Sequence, residues 1–301
     1  MNNFKITVII PTFNREDFID DCINSILSTN DSNIEIIIVD NNSKDKTKLK
    51  LKKYKTDERF KIFFNKKNLE RSYSRNLGLI NATGDFVTLL DSDDKLKKNI
   101  FSEFRSYYKK NNKYNIYYSN FNTYDPLTKQ TKISSNNFNN ISLRNLSNGN
   151  YLSNICVFLK NNLSKTILYD ESSDIIGIED YDFNLRIINK FGIAKKFSNY
   201  PLGVVTDHIN RSVNLDSIVN AEKRFLFFKN KLFNNLDYKN VNLRIKYSIL
   251  STSSLYVSLI CMKNKNKLKS LKYIYIALIN NIMILIDKRF FYIVYGLIFK
   301  I

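Results

Sequence analysis

The sequence predicts an α/β fold, with a mainly parallel, Rossmann-like sheet flanked by helices and a helical, basic C-terminal extension. Three observations predict it. Short apolar runs rich in β-branched residues alternate with stretches whose apolar residues recur at helical spacing, the pattern of βαβ units. Acids close two of these runs, at Asp40 and Asp91, and open α/β sheets gather their ligands at such strand ends. Beyond residue 213 the alternation stops, and long amphipathic stretches rich in Lys, Tyr, Ile and Leu take over.

The elements follow in order. ITVII (6–10) is a buried strand that Pro11 ends. From Glu16 to Ser28, the residues Phe18, Ile19, Cys22, Ile23, Ile26 and Leu27 fall on one helical face, with acids in the first turn. IEIIIVD (34–40) is a second strand, KTKLKLKKY (46–54) a basic helix and FKIFF (60–64) a third strand. SRNLGLINA (74–82) is a helix and DFVTLLD (85–91) a fourth strand. Phe101 to Tyr108 is helical, and NIYYSNF (115–121) is strand-like. Residues 125–150 are polar and Asn-rich, a long loop with a short helix. Residues 181–190 continue a helix whose first turn holds Glu179 and Asp180, and LGVVT (202–206) is a late strand. Pro11-Thr12-Phe13-Asn14, Asp40 and Asp91 then wall one pocket.

Hydrophobic residues make up 44% of the 301 residues, enough for a packed core. Three scattered cysteines with no CxxC spacing make neither a zinc site nor a disulfide framework and fit a reducing cytoplasm. The N-terminus lacks the apolar stretch of a signal peptide. The net charge of +19 is uneven. Residues 1–210 hold 31 basic against 24 acidic side chains (+7), and residues 211–301 hold 16 against 4 (+12). A basic face implies an anionic partner, whether phospholipid, nucleic acid or phosphate-bearing substrate. There is no GxGxxG after the first strand, no GxxxxGK[ST] and no GxSxG, which argues against a dinucleotide oxidoreductase, a P-loop NTPase and a hydrolase triad.

LLDSDD (89–94) crowds Asp91, Asp93 and Asp94 at one strand end of a basic protein. One reading is a solvated acidic turn. The other is a cation site, because Asp91 and Asp93 on an irregular turn can point at one ion. Carboxylates suit Mn²⁺ or Mg²⁺, which complete their shells with water and substrate phosphates. Glu179 and Asp180 also have two readings. They complement a helix dipole, worth about 0.3–1 kcal/mol, or they supply a general base.

TVIIPTFNRED (7–17), EIIIVDNNSKDKT (35–47), SRNLGLINATGDFVTLLDSDD (74–94) and IEDYDFNLRI (178–187) occur in that order. Together they resemble glycosyltransferase family 2, the inverting nucleotide-sugar enzymes of the GT-A fold, over residues 5 to about 210. The resemblance implies that Pro11, Thr12, Asn14 and Glu16 line the nucleotide and that Asp40 contacts the base. Asn41 stands where the family often has a second Asp. Arg75 and Asn76 are implied near the donor's diphosphate and sugar. The DxD motif falls on Asp91 and Asp93, Asp93 as metal ligand and Asp91 for ribose or metal, with Asp94 in support. Asp180 is implied as the base and Glu179 as its support. His208, the one histidine, is implied at metal or diphosphate, and Arg211 at a phosphate.

On this reading residues 1–213 are the catalytic domain, with a nucleotide-binding half to about 95 and an acceptor half after it, and 214–301 are the extension. The implied cofactor is Mn²⁺ or Mg²⁺. The implied partners are a nucleotide-sugar, with UDP first, and a hydroxyl of a growing or lipid-linked surface glycan. YIYIALINNIMILI (273–286) and FFYIVYGLIF (290–299) follow five lysines in 263–272. Neither reaches the roughly 20 apolar residues of a spanning helix. Aromatics beside lysines suit peripheral attachment to the inner face of an anionic membrane; a helical domain with solvated lysines is the other reading. Two further functions stay open, a basic nucleic-acid binder and an inactive scaffold of the same fold. No nucleic-acid partner is expected, because acidic strand ends repel a phosphate backbone and no recognition motif accompanies the charge.

Overall fold

The structure is a computed structural model that describes residues 4–134, 136–208 and 216–299. The chain divides into two compact units. One comprises Met1–Ser142, Leu152–Glu171 and Glu179–His208; the other comprises Leu143–Tyr151, Ser172–Ile178 and Ile209–Ile301. The boundary expected near 213 and Arg211 lie outside the described residues.

The first unit begins with β1 (Ile6–Thr12), α1 (Ile19–Leu27), β2 (Ile34–Asp40), α2 (Thr47–Lys52), β3 (Phe60–Phe64), α3 (Glu70–Asn81) and β4 (Phe86–Leu89). There follow β5 (Lys95–Leu96), α4 (Ile100–Lys110), β6 (Ile116–Tyr118), β7 (Phe121–Asp125), β8 (Gln130–Ser134) and β9 (Asn140–Ile141). The short α5 (Leu143–Leu146) belongs to the second unit. Then β10 (Val157–Lys160), α6 (Asn161–Ser164), α7 (Glu179–Phe191), β11 (Ala194–Lys196) and β12 (Gly203–Thr206) complete the first unit. The second unit continues with α8 (Ile218–Asn234), α9 (Leu243–Lys263), α10 (Lys267–Asn280) and α11 (Lys288–Phe299).

Among the described residues the strands form two sheets, ordered β3-β2-β1-β4-β10-β6-β11-β9 and β5-β12-β7-β8. The strands β3, β2, β1 and β4 run parallel, while β10 is antiparallel to both its neighbours. Every residue of β1 and β2 is buried, as expected of parallel strands covered on both faces. The core runs from Ile6, Ile10, Ile23 and Ile38 to an aromatic group in which the Phe104 and Phe158 rings stack at 4.2 Å. Gly78 lets α3 lie close on β1, because a Cβ there would overlap the Ile9 side chain.

Three expectations are corrected. Pro11 does not end β1; the strand pairs with β2 through Pro11 and Thr12. Ile9 O accepts from Leu90 N on the β4 side, and Thr12 O accepts from Asn41 N on the β2 side. By alternation Pro11 points toward β4, which has already ended, so its missing N–H leaves no gap in the ladder. Residues 115–121 are two strands, not one: β6 joins the large sheet and β7 the small one. Within 125–150, residues 130–134 return antiparallel on β7 as a hairpin rather than a loop, and a short helix follows at α5.

In the second unit, Leu255, Met262, Ile274, Ala277, Ile284 and Ile293 form a core of their own. By length and composition α9 could cross a membrane, but 72% of its apolar window is buried.

Candidate active site

The loops after β1 and β2 are tied together. The Asn14 amide donates to Ser43 Oγ (2.9 Å), and Asn14 Oδ1 accepts from the Lys44 amide (2.8 Å). Glu16 Oε2 accepts from the Lys46 amide (2.9 Å). Asn14 holds φ +51°, a left-handed conformation that Asn tolerates. Thr12 and Asp40 are register partners across β1 and β2. Both are buried, and among the described residues Thr12 Oγ1 and Asp40 Oδ1 have no protein partner. The other Asp40 oxygen accepts from the Ser43 amide (3.1 Å), and Lys48 Nζ lies 3.9 Å away. Buried polar atoms are nearly always satisfied, so these two atoms on paired residues are open hydrogen-bonding positions. Asn41 works differently. Its Nδ2 donates to Asn68 Oδ1 (2.6 Å), and its Oδ1 accepts from Asn65 Nδ2 and the Leu69 amide (both 3.0 Å), which shapes the loop before α3.

The crowded carboxylates have separate compensators. Arg75 Nη2 donates to Asp91 Oδ1 (2.9 Å). Asp93 Oδ2 lies 3.0 Å from His208 Nε2 and 3.3 Å from Arg15 Nε. The Phe18 ring stacks on the His208 imidazole, with centroids 5.0 Å apart. Asp94 Oδ1 accepts from the Thr206 amide (3.0 Å), which ties this loop to β12.

The Arg75 guanidinium is buried and bridges two acids, with Nη1 on Glu179 Oε1 (3.1 Å). Burial works against its charge, but Asp91 and Glu179 outweigh that and hold it firmly protonated. Asn76 clamps a segment that precedes α7. Its Nδ2 donates to Tyr169 O (2.9 Å) and Glu171 Oε1 (2.7 Å), and its Oδ1 accepts from the Tyr169 amide (2.7 Å). In the first turn of α7, Asp180 Oδ1 accepts from the Tyr181 amide (2.8 Å). Burial pushes the Asp180 carboxyl up to about 6, and the Glu179 charge adds to the rise while Arg75 opposes it. At neutral pH it is ionised and still basic enough to take a proton.

The structure therefore brings together Arg75, Asp91, Glu179 and Asp180, and separately Asp93 with His208. Asn14, Glu16, Asn76 and Asp94 engage their side chains in loop ties. Three partners escape sequence reasoning. Arg15 on Asp93 sits inside a quoted motif, where its charge was the available signal. Arg71 Nε, 3.4 Å from Glu179 Oε1, and Tyr169, whose ring lies 5.2 Å from the Arg75 guanidinium, are contacts distant in sequence. Among the described residues no three His, Cys, Asp or Glu side chains converge on a metal position. Asp93 offers a carboxylate of the kind a hard divalent ion takes, since Mg²⁺ commonly uses only one or two carboxylates and leaves the rest to water and phosphate.

A sheet with acidic strand ends and this mixed strand order is the GT-A glycosyltransferase architecture. The sequence model described as Glycosyl transferase family 2 matches residues 7–166. The chain belongs to that family. It is 42% identical over 94 residues to the GalNAc(5)-diNAcBac-PP-undecaprenol beta-1,3-glucosyltransferase of Campylobacter jejuni, covering 31% of this chain and 30% of that one. It is 35% identical over 94 residues to the glycosyltransferase GlyA of Streptococcus pneumoniae, covering 31% and 14%. Three of the leading curated matches are covered over only 40, 16 and 30% of their own lengths. Among solved structures, S. aureus TarS 1-349 in complex with UDP superposes with TM-score 0.59 at 18% identity, over 90% of this chain and 89% of that one. The mannosyltransferase PcManGT of Pyrobaculum calidifontis, in complex with GDP-Man and Mn2+, superposes with TM-score 0.53 at 14% identity, over 95% and 88%. At these identities the structures speak for the fold.

Proposed function

We propose that this protein is a metal-dependent, inverting glycosyltransferase. It moves a sugar from a nucleotide-sugar, with UDP as the first nucleotide to test, to a hydroxyl of a growing or lipid-linked surface glycan. The observation that carries the reading is the pair of buried atoms, Thr12 Oγ1 and Asp40 Oδ1, without a partner among the described residues and set on the paired carboxyl ends of β1 and β2. They offer hydrogen-bonding capacity to a nucleoside. Asp93 and His208 would hold the Mn²⁺ or Mg²⁺, which when bound neutralises charge on a departing diphosphate. Asp180 accepts the proton of the acceptor hydroxyl while that oxygen bonds to the anomeric carbon. The bond from that carbon to the diphosphate breaks, the nucleotide leaves, and the configuration inverts. Arg75 holds Asp91 and the α7 terminus in fixed relation. The undecaprenol in the name of the Campylobacter relative supports a lipid-linked acceptor.

Calorimetric titration with UDP tests the reading. Binding that requires Mn²⁺ and disappears in Asp93→Ala is expected. Absence of binding for UDP, GDP and dTDP alike would overturn it.

The second unit supports peripheral attachment to the inner face of an anionic membrane. Of 25 exposed large hydrophobic residues among those described, 13 fall between Leu268 and Phe299, in the part of the chain that carries the excess charge. Each Lys near an anionic surface contributes about 1 kcal/mol. Flotation with phosphatidylglycerol vesicles is the test; protein left at the bottom of the gradient would sink the membrane reading.

A further inference from the structure

We propose that Tyr169 is a positioning residue for the Asp180 base, acting through the Arg75 guanidinium and the first turns of α7. The role rests on the proposed function. Every group in it, from α3, the loop after α6 and α7, lies within the first unit.

Arg75 meets an acid through each of its terminal nitrogens. Nη2 donates to Asp91 Oδ1 (2.9 Å) and Nη1 to Glu179 Oε1 (3.1 Å), while Nε has no hydrogen-bond partner among the described residues. Two bonds to acids on different elements leave a long side chain able to pivot about them. The Tyr169 ring supplies the third restraint. Its centroid lies 5.2 Å from the guanidinium carbon, within reach of a cation–π contact, and both groups are buried, where such a contact is strongest. The ring is itself held. Phe183, one turn after Asp180 on α7, stacks on it with centroids 4.0 Å apart and planes 8° apart. That stack occupies one face of the Tyr169 ring and leaves the other to the guanidinium. Tyr169 OH donates to Asn154 Oδ1 (3.0 Å), and Asn76, the neighbour of Arg75 on α3, holds both the Tyr169 amide and its carbonyl. Tyr169 is thus fixed to α3 by its backbone, to α7 by its ring and to the segment before β10 by its hydroxyl. A cation laid on that ring holds Glu179, and with it the adjacent Asp180, in one place. Among the described residues, no hydrogen bond or ring contact of Tyr169 reaches the loops after β1 and β2. The ring therefore governs where the base stands rather than how the nucleotide binds.

The experiment measures nucleotide release from UDP-glucose and UDP-N-acetylglucosamine, with a polyprenyl-diphosphate-linked oligosaccharide as acceptor, beside UDP calorimetry and melting curves. A misplaced catalytic group lowers turnover by about 10- to 100-fold. Tyr169→Leu is expected to lose kcat by that factor with UDP affinity unchanged. Tyr169→Phe keeps the ring, gives up only the bond to Asn154, and should retain most of kcat. Arg75→Lys removes the planar group that lies on the ring, so adding Tyr169→Leu to it should cost little more, because residues that act through one contact are not additive. Phe183→Leu loosens the ring without emptying its site. It is expected to lose kcat by a smaller factor, and it covers the case in which Tyr169→Leu fails to fold. Wild-type kcat in the folded variants, a Tyr169→Phe as slow as Tyr169→Leu, losses that add in the double variant, or a fall in UDP affinity that matches the fall in kcat each overturns the proposal and leaves the proposed function standing. A wild type that releases no nucleotide from these donors, nor from GDP- and dTDP-sugars, overturns the proposed function and this role with it.

Discussion

The two ends of β2 each bury a carboxylate, and they treat it in opposite ways. At the amino end, Glu35 is fully served. Thr7 Oγ1 donates to it (2.6 Å), as do the Thr83 amide and hydroxyl (both 2.8 Å), and Lys61 Nζ sits 2.6 Å away. Burial alone would raise its pKa, but these donors overturn that and hold it at about 2. At the carboxyl end, Asp40 keeps one oxygen without a protein partner among the described residues, and beside Asp91, which follows β4, burial raises the Asp180 carboxyl. One end of the sheet uses acid to join β1, β2 and the loop before β4. The other keeps acid in an unfavourable state, which is how sites that bind and react are commonly built.

The largest expected effect lies at the carboxyl end. Asp180→Asn should lower kcat by roughly 10²- to 10⁴-fold, the usual worth of a general base, while UDP affinity stays within a factor of two or so. In the wild type, kcat/KM should climb as pH rises through about 6 and then level off, because the carboxylate is the active form. The variant should lose that limb. Its stability should move the other way. A carboxyl whose folded pKa is raised makes the fold less stable as pH climbs past the unfolded value, so Asp180→Asn should leave Tm unchanged or raise it. A Tm drop with retained kcat would dissolve the contrast between the two ends.

Next comes the amino end. Glu35→Gln should lose about 2–3 kcal/mol at pH 7, since a depressed carboxylate pKa is stabilisation present in the charged form. The sign follows from the direction of the shift. The contribution is complete above the unfolded value near 4.5 and disappears as pH falls toward 2. Wild type and variant should therefore converge in urea midpoints measured from pH 6 down to pH 3. Parallel curves would show that Glu35 acts through packing rather than charge.

This contrast was half visible beforehand. The run IEIIIVD gives β2 its bounds, because an unbroken β-branched stretch ending in an acid has few alternatives. The order of the motifs carries the acidic strand ends and the Glu179-Asp180 turn. What stayed hidden is what only distance in sequence creates. Asp93 meets His208 across 115 positions and Asn76 meets Tyr169 across 93. Composition at either place says nothing about the other. Pro11 misleads for a related reason. Local propensity makes it a stop, and only the early end of β4 makes it harmless. Two-residue strands such as β5 and β9 are too short to leave any period.

The smallest expected effect is the sharpest test of the comparison. Asp40→Asn keeps the size of the side chain and an acceptor for the Ser43 amide, but it turns one oxygen into a donor. If that oxygen waits for a nucleoside N–H, the change should weaken UDP binding by about tenfold, near 1.4 kcal/mol, with kcat at saturating donor nearly unchanged. Tm should stay nearly level, because the Ser43 amide keeps its acceptor and only the long contact with the part-exposed Lys48 is weakened. Isothermal titration and a melting curve on one preparation decide it. Unchanged affinity with a lower Tm would make Asp40 a structural acid like Glu35, and the two ends of the strand would then differ in packing alone.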